Sequence, residues 1–197
     1  EHPAFRAAIA GATLVLADGT GVVLAARTTA HRQAERVAGV DAVEEIARIA
    51  ARERLSVFLL GAAPGVAEEA ARRLVARHTG LTIAGTYAGS PHPDEEEGIC
   101  ARVNASGAAI VLVAYGAPKQ ELWIARNRAR LEPRLAMAVG GTFDFLAGTK
   151  ARAPHWMQRA GLEWLFRLAQ EPRRWRRMLA LPRFALLVLF DRRTRHA

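Results

Sequence analysis

A chain of 197 residues, 51% hydrophobic and 24% charged, is long enough for one α/β domain with a real core and too short for two comfortable ones. That composition excludes a disordered or fibrous chain, and the single cysteine, Cys100, excludes an internal disulfide and makes a reducing compartment the default. The net charge of +9 is concentrated: from Lys150 onward 12 Lys and Arg meet 3 Asp and Glu, whereas the preceding residues balance.

No segment reaches the ~18–20 consecutive apolar residues that span a bilayer, and the opening "EHPAFRAAIAGA" has no signal-peptide layout. The first apolar run, "ATLVLA" (Ala12–Ala17), predicts a strand. Asp18 follows it in "VLADGTGVV". Asp-Gly is a strong turn signal, and the alternative is a carboxylate at a sheet's carboxyl edge, where a general base is wanted. The helical pattern "DAVEEIARIAARE" then leads into "SVFLLG" (Ser56–Gly61), a strand apolar enough to be buried on both faces.

Gly61, Pro64 and Gly65 link that strand to the helix "PGVAEEAARRLVARH". Amides at such a helix start can hold an anion, but the stretch is neither a Walker loop nor GxGxxG, and a structural turn competes. Strands over "LTIAGTY" (Leu81–Tyr87) and "AAIVLVAYG" (Ala108–Gly116) flank the helix "PDEEEGICARVNAS". Pro118, Lys119 and Gln120 open the next helix, "KQELWIARNRARL", either as a plain cap or as a grip on a polar ligand at the strand's end. "LAMAVGG" (Leu135–Gly141) is the last strand, and Asp144 follows between two phenylalanines; those rings suit a core, and a buried Asp144 needs a partner. Strand, glycine turn and helix in repetition indicate βαβ units and a Rossmann-like, mostly parallel α/β sheet flanked by helices.

After Gly148 the pattern changes to a basic, aromatic, helical run over 155–190, interrupted by Pro172 and Pro182. The expected organisation is therefore an α/β catalytic domain over 1–149 and a basic amphipathic helical appendage over 150–197. On a helix starting near Pro172, Trp175, Met178 and Leu179 share one face, with Arg173, Arg174, Arg176 and Arg177 around the remainder. An apolar stripe bordered by arginines suits an anionic lipid surface; a helix packed on the core with solvated arginines is the alternative. The six histidines show no metal-ligand spacing, so no metal is expected.

"ADGTGVV", "ERVAGVD", "LLGAAPGVAEEA", "VAYGAPKQELW", "VGGTFDFLAG" and "RAPHWMQRAGLEWLFRLAQEPRRWRRM", in that order, resemble the WecG/TagA/CpsF family of bacterial glycosyltransferases. The resemblance runs from the first residues to about Arg177, and "AGSPHPDEE" matches the family's loop only loosely. It implies an inverting, metal-independent transfer of an N-acetylhexosamine-type sugar, N-acetylmannosamine first among candidates, from a UDP-sugar. The implied acceptor is N-acetylglucosamine on a polyprenyl diphosphate, in teichoic acid or other cell-surface polysaccharide synthesis. The implied location is peripheral, at the cytoplasmic face of the bacterial membrane.

By the same resemblance Asp18 matches the base, Arg36 in "ERVAG" a pocket arginine important for activity, and Gln120 in "PKQE" a polar pocket residue. Asp144 matches a residue near the nucleoside. Arg167, Arg174 and Arg177 match appendage arginines that close over the diphosphate. Gly61, Gly65 and Lys119 join them as candidate substrate-binding positions. No cofactor is implied, since the UDP-sugar is a substrate. The family also carries a segment ahead of the "EHPAF" equivalent, so a strand and two pocket residues are expected outside this sequence. A nucleic-acid-binding protein is the rival that high basicity invites, but the charge is confined to one amphipathic stretch and no nucleic-acid-binding module is visible. A membrane scaffold on the same fold is a second rival, and the apolar tail offers a route to self-association.

Overall fold

The computed structural model describes residues 2–29, 35–172, Trp175 and Phe184. In chain order the helices are α1 (Pro3–Ala10), α2 (Thr20–Thr29), α3 (Gly39–Glu53), α4 (Val66–Arg77), α5 (Glu96–Ala105), α6 (Lys119–Asn127), α7 (Thr142–Leu146), α8 (His155–Arg159) and α9 (Glu163–Gln170). The strands are β1 (Ser56–Gly61), β2 (Thr82–Tyr87), β3 (Ile110–Ala114) and β4 (Leu135–Ala138). Contacts divide the chain into two compact units, Glu1–Val15 with Gly39–Ala151, and Leu16–Ala38 with Arg152–Ala197.

The first unit is the expected α/β fold. Its four strands lie in the order β2-β1-β3-β4 and every neighbouring pair is parallel. Successive side chains of a strand point to opposite faces, and β1 divides its residues accordingly. Val57 and Leu59 join Ile110 and Leu112 against Val43, Ala47 and Ala50 of α3, Ala67, Ala70 and Leu74 of α4, and Phe143 of α7. Phe58 and Leu60 join Val111 and Val113 on the other face, against Ile99 and Val103 of α5 and Trp123 of α6. Burial on both faces is why these strands read as continuous apolar runs. The spacing of Val43, Ala47 and Ala50 puts one stripe of α3 on the sheet.

Gly85 of β2 pairs with Phe58, and a Cβ there would lie 2.7 Å from the Phe58 ring. The missing side chain is the space the ring occupies.

The strand expected over Ala12–Ala17 does not form among the described residues. The stretch carries no ladder, and Leu14 keeps 74% of its exposure. Apolar content makes a segment compatible with a strand, but a strand exists only where an edge offers partners. The sequence also did not single out α1, α2 or α7, which are short or rich in β-branched residues.

In the second unit, Val37 N–H donates to the Ala17 carbonyl at 3.0 Å, and α2 begins with Val23 N–H on the Gly19 carbonyl at 3.1 Å. The expected helical run from His155 forms α8 and α9, separated by a turn at Ala160–Gly161. The apolar face of Trp175, Met178 and Leu179 falls, Trp175 apart, outside the described residues. No helix of the described residues is long and apolar enough to cross a membrane.

Candidate functional site

The order β2-β1-β3-β4 reverses direction between β1 and β3. In open α/β sheets that reversal leaves a crevice at the carboxyl ends of the strands, where ligands bind. Here the crevice begins where β1 and β3 end side by side, Gly61 pairing with Ala114. Gly61 has φ of +101° and a Cβ on it would sit 2.8 Å from the Ala114 carbonyl carbon, so only glycine lets the two chains leave the sheet this closely. Gly65 caps α4 in a left-handed conformation without a side-chain cap bond. Glu68 and Glu69 occupy the first turn of that helix, so its positive end already faces carboxylates.

The loop after β3 carries Tyr115, Gly116 and a cis Ala117–Pro118 peptide, and the exposed Lys119 opens α6. Gln120, 5% exposed, sits at the start of α6 and joins two loops. Its Oε1 accepts from Gly116 N–H at 3.0 Å and from Gly140 N–H, beyond β4, at 2.9 Å. Its Nε2 donates to Glu121 Oε1 at 2.8 Å. One carboxamide thus fixes the β3 loop relative to the β4 loop.

Asp144, half-buried on α7, has Lys150 Nζ 3.4 Å from Oδ2 and the Thr149 hydroxyl 3.5 Å from Oδ1. This is the partner a sheltered carboxylate requires. Phe143 is fully buried, as core reading of the flanking rings expects. Two polar groups that the sequence did not single out complete this edge. Tyr115 Oη and Glu121 Oε2 are buried without a hydrogen-bond partner among the described residues, and burial pushes the Tyr115 phenol well above its ordinary range. Buried polar atoms left open in a protein are commonly satisfied by a ligand or water.

The second unit holds Asp18, Arg36 and Arg167. Asp18 is exposed, two residues before α2 begins. Arg36 donates from Nε to the Asp18 carbonyl at 3.0 Å and from Nη1 to the Gln158 carbonyl at 3.1 Å, and its Nη2 pairs with Glu163 Oε2. Arg36 and Asp18, 18 residues apart, are therefore neighbours, and Glu163 is a residue that sequence reasoning did not flag. Arg167 lies half-buried in the last turn of α9. Arg174 and Arg177 lie outside the described residues. No cluster of His, Cys, Asp and Glu among the described residues is arranged to hold a metal ion.

A family model described as "Glycosyl transferase WecG/TagA/CpsF family" matches residues 1–197. The chain is also similar to an N-acetylglucosaminyldiphosphoundecaprenol N-acetyl-beta-D-mannosaminyltransferase of Bacillus subtilis (strain 168). The two are 32% identical over 187 residues, covering 95% of this chain and 72% of that protein.

Proposed function

We propose, for a chain that belongs to the WecG/TagA/CpsF family of glycosyl transferases and is a hexosyltransferase, that it transfers N-acetylmannosamine from a UDP-sugar to N-acetylglucosamine on a polyprenyl diphosphate. The product would serve a cell-surface polymer. The observation that carries this reading is the 32% identity, across 95% of the chain, to a mannosaminyltransferase whose name specifies that acceptor. The parallel sheet, with its crevice between β1 and β3, supports it as an architecture for nucleotide-linked donors.

In this reading Asp18 takes the proton of the acceptor hydroxyl as that oxygen attacks the anomeric carbon. One carboxylate suffices for a single inverting displacement. Its exposure at the start of α2 leaves it accessible to a substrate. The bond to UDP breaks as the new glycosidic bond forms, and charge develops on the diphosphate. Arg167, Arg174 and Arg177 stabilise that charge in place of a metal, their planar forks matching phosphate oxygens. Gly61, Gly65 and Lys119 contribute to donor binding, with Asp144 near the nucleoside and Gln120 holding the loops after β3 and β4 together.

The C-terminal segment docks the enzyme on the anionic cytoplasmic face of the membrane, where a polyprenyl acceptor resides. Exposed Trp156, Trp164 and Trp175 favour this, since aromatic rings partition to the headgroup level. Each nearby basic residue adds about 1 kcal/mol at an anionic surface.

Incubating the protein with UDP-N-acetylmannosamine and a short-chain polyprenyl-diphosphate N-acetylglucosamine, in EDTA, tests the reaction. Disaccharide-lipid is the expected product. Its absence, with product appearing only after Mg²⁺ or Mn²⁺ is restored, would overturn metal independence; absence with every UDP-sugar tried would overturn the transfer itself.

A further inference from the structure

The ion pair between Arg36 and Glu163 spans 127 positions of sequence, and the two side chains keep 24% and 12% of their exposure. All three guanidinium nitrogens of Arg36 have a protein partner. Two of the acceptors are backbone carbonyls, those of Asp18 and Gln158; the third is the Glu163 carboxylate. Alongside, the Val37 N–H holds the Ala17 carbonyl. Consecutive carbonyls at 17 and 18 are thus both tied to residues 36 and 37.

Glu163 supplies the opposite charge for this sheltered guanidinium. It also fixes the plane of the fork, and with it the direction of the Nε–H that reaches Asp18. Gln158 lies on α8 and Glu163 opens α9, so one arginine laces the Asp18 turn to α8 and α9. A guanidinium committed in this way is a brace for the turn, with its charge answered by the protein's own carboxylate.

We infer that Glu163 is a positioning residue for the transfer: it orients Arg36, and Arg36 fixes the backbone that carries the Asp18 carboxylate. The inference deepens the proposed function and rests on Asp18 acting as the base. Displacing a reacting group by about 1 Å can cost on the order of 10²-fold in rate. Loss of Glu163 therefore acts on kcat, while KM for the UDP-sugar stays nearly constant, because the guanidinium nitrogens of Arg36 are already committed to the Asp18 and Gln158 carbonyls and to Glu163.

Amide hydrogen exchange and steady-state kinetics on wild type, Glu163→Ala, Glu163→Gln and Arg36→Lys test it together. In Glu163→Ala, exchange at Val23 and Val37 should quicken by about tenfold or more, with the β1 and β3 amides unchanged. The kcat should fall by roughly 10²-fold with donor KM within about threefold. Glu163→Gln, which retains an acceptor for Arg36, should recover part of both effects. Arg36→Lys, lacking the fork, should resemble Glu163→Ala, and the double variant should be no worse than Arg36→Lys alone.

Unchanged exchange around Asp18 in Glu163→Ala would overturn the brace, whether or not transferase activity is found. Raised donor KM in Arg36→Lys with kcat intact in Glu163→Ala would instead assign Arg36 to the diphosphate and overturn the inference. If wild type makes no disaccharide-lipid, the transferase reading fails, and the exchange result alone then decides whether the brace exists.

Discussion

Gln120 serves two loops with one oxygen, because Gly116 and Gly140 both donate to its Oε1. Replacing it with leucine leaves both amides without that acceptor, at about 1–3 kcal/mol for an unsatisfied buried group. In a chain of this size 1 kcal/mol corresponds to roughly 2–4 °C in Tm, so thermal unfolding of Gln120→Leu should fall by several degrees. A Tm equal to wild type would remove its clamping role. Gln120→Glu keeps an acceptor oxygen for both amides but faces Glu121 Oε1, now 2.8 Å from the Gln120 nitrogen, with a second carboxylate. Its destabilisation should shrink as the medium is made acidic, because two adjacent carboxylates repel each other less once they share a proton; denaturant midpoints at several pH values read this directly. Residues of this kind were half legible. The sequence marks Gln120 as a polar group opening a helix after a buried strand, but local spacing carries no trace of Gly140, 20 residues on. The Arg36–Glu163 pair is invisible for the same reason, being set by folding alone.

At the scale of elements, β1 and β3 announced themselves because burial on both faces leaves an unbroken apolar run. α3 did so because Val43, Ala47 and Ala50 repeat at the helical period. Ala12–Ala17 has equal apolar content and no ladder, which marks the limit of composition: it reports hydrophobicity, never the partner edge. The close approach of β1 and β3 at Gly61 is a stricter demand. Gly61→Ala forces a Cβ against the Ala114 backbone at φ of +101°, and strain of about 1–3 kcal/mol should appear as a lowered Tm; an unchanged Tm would mean that the loop relaxes freely. On α4, hydrogen bonds from Arg72 and then Arg73 hold the Glu69 carboxyl down at about 2, against an ordinary 4.5. A depressed carboxyl contributes stability that is fully present above 4.5 and lost as pH falls through about 2. Urea midpoints of Glu69→Gln should therefore decline less steeply than wild type across that window; parallel curves would deny the pairs any part in acid unfolding.

For the whole molecule, the excess charge lies from Lys150 onward, in a stretch that also exposes Trp156 to 65%. Basic residues and exposed indoles together fit a lipid surface better than a nucleic acid, because rings add nothing to phosphate recognition on a duplex. Binding to anionic vesicles should exceed binding to neutral ones and weaken as salt rises; equal retention on both would remove the docking proposal. The central claim, though, is chemical: a glycosyltransferase-family chain uses Asp18 to activate a lipid-linked hydroxyl. The most direct measurement compares initial rates of disaccharide-lipid formation by wild type and Asp18→Asn, at saturating UDP-N-acetylmannosamine and acceptor. General-base catalysis supplies about 10²–10⁴-fold, so the account predicts that the variant folds like wild type and loses rate on that order. A variant turning over as fast as wild type would contradict it.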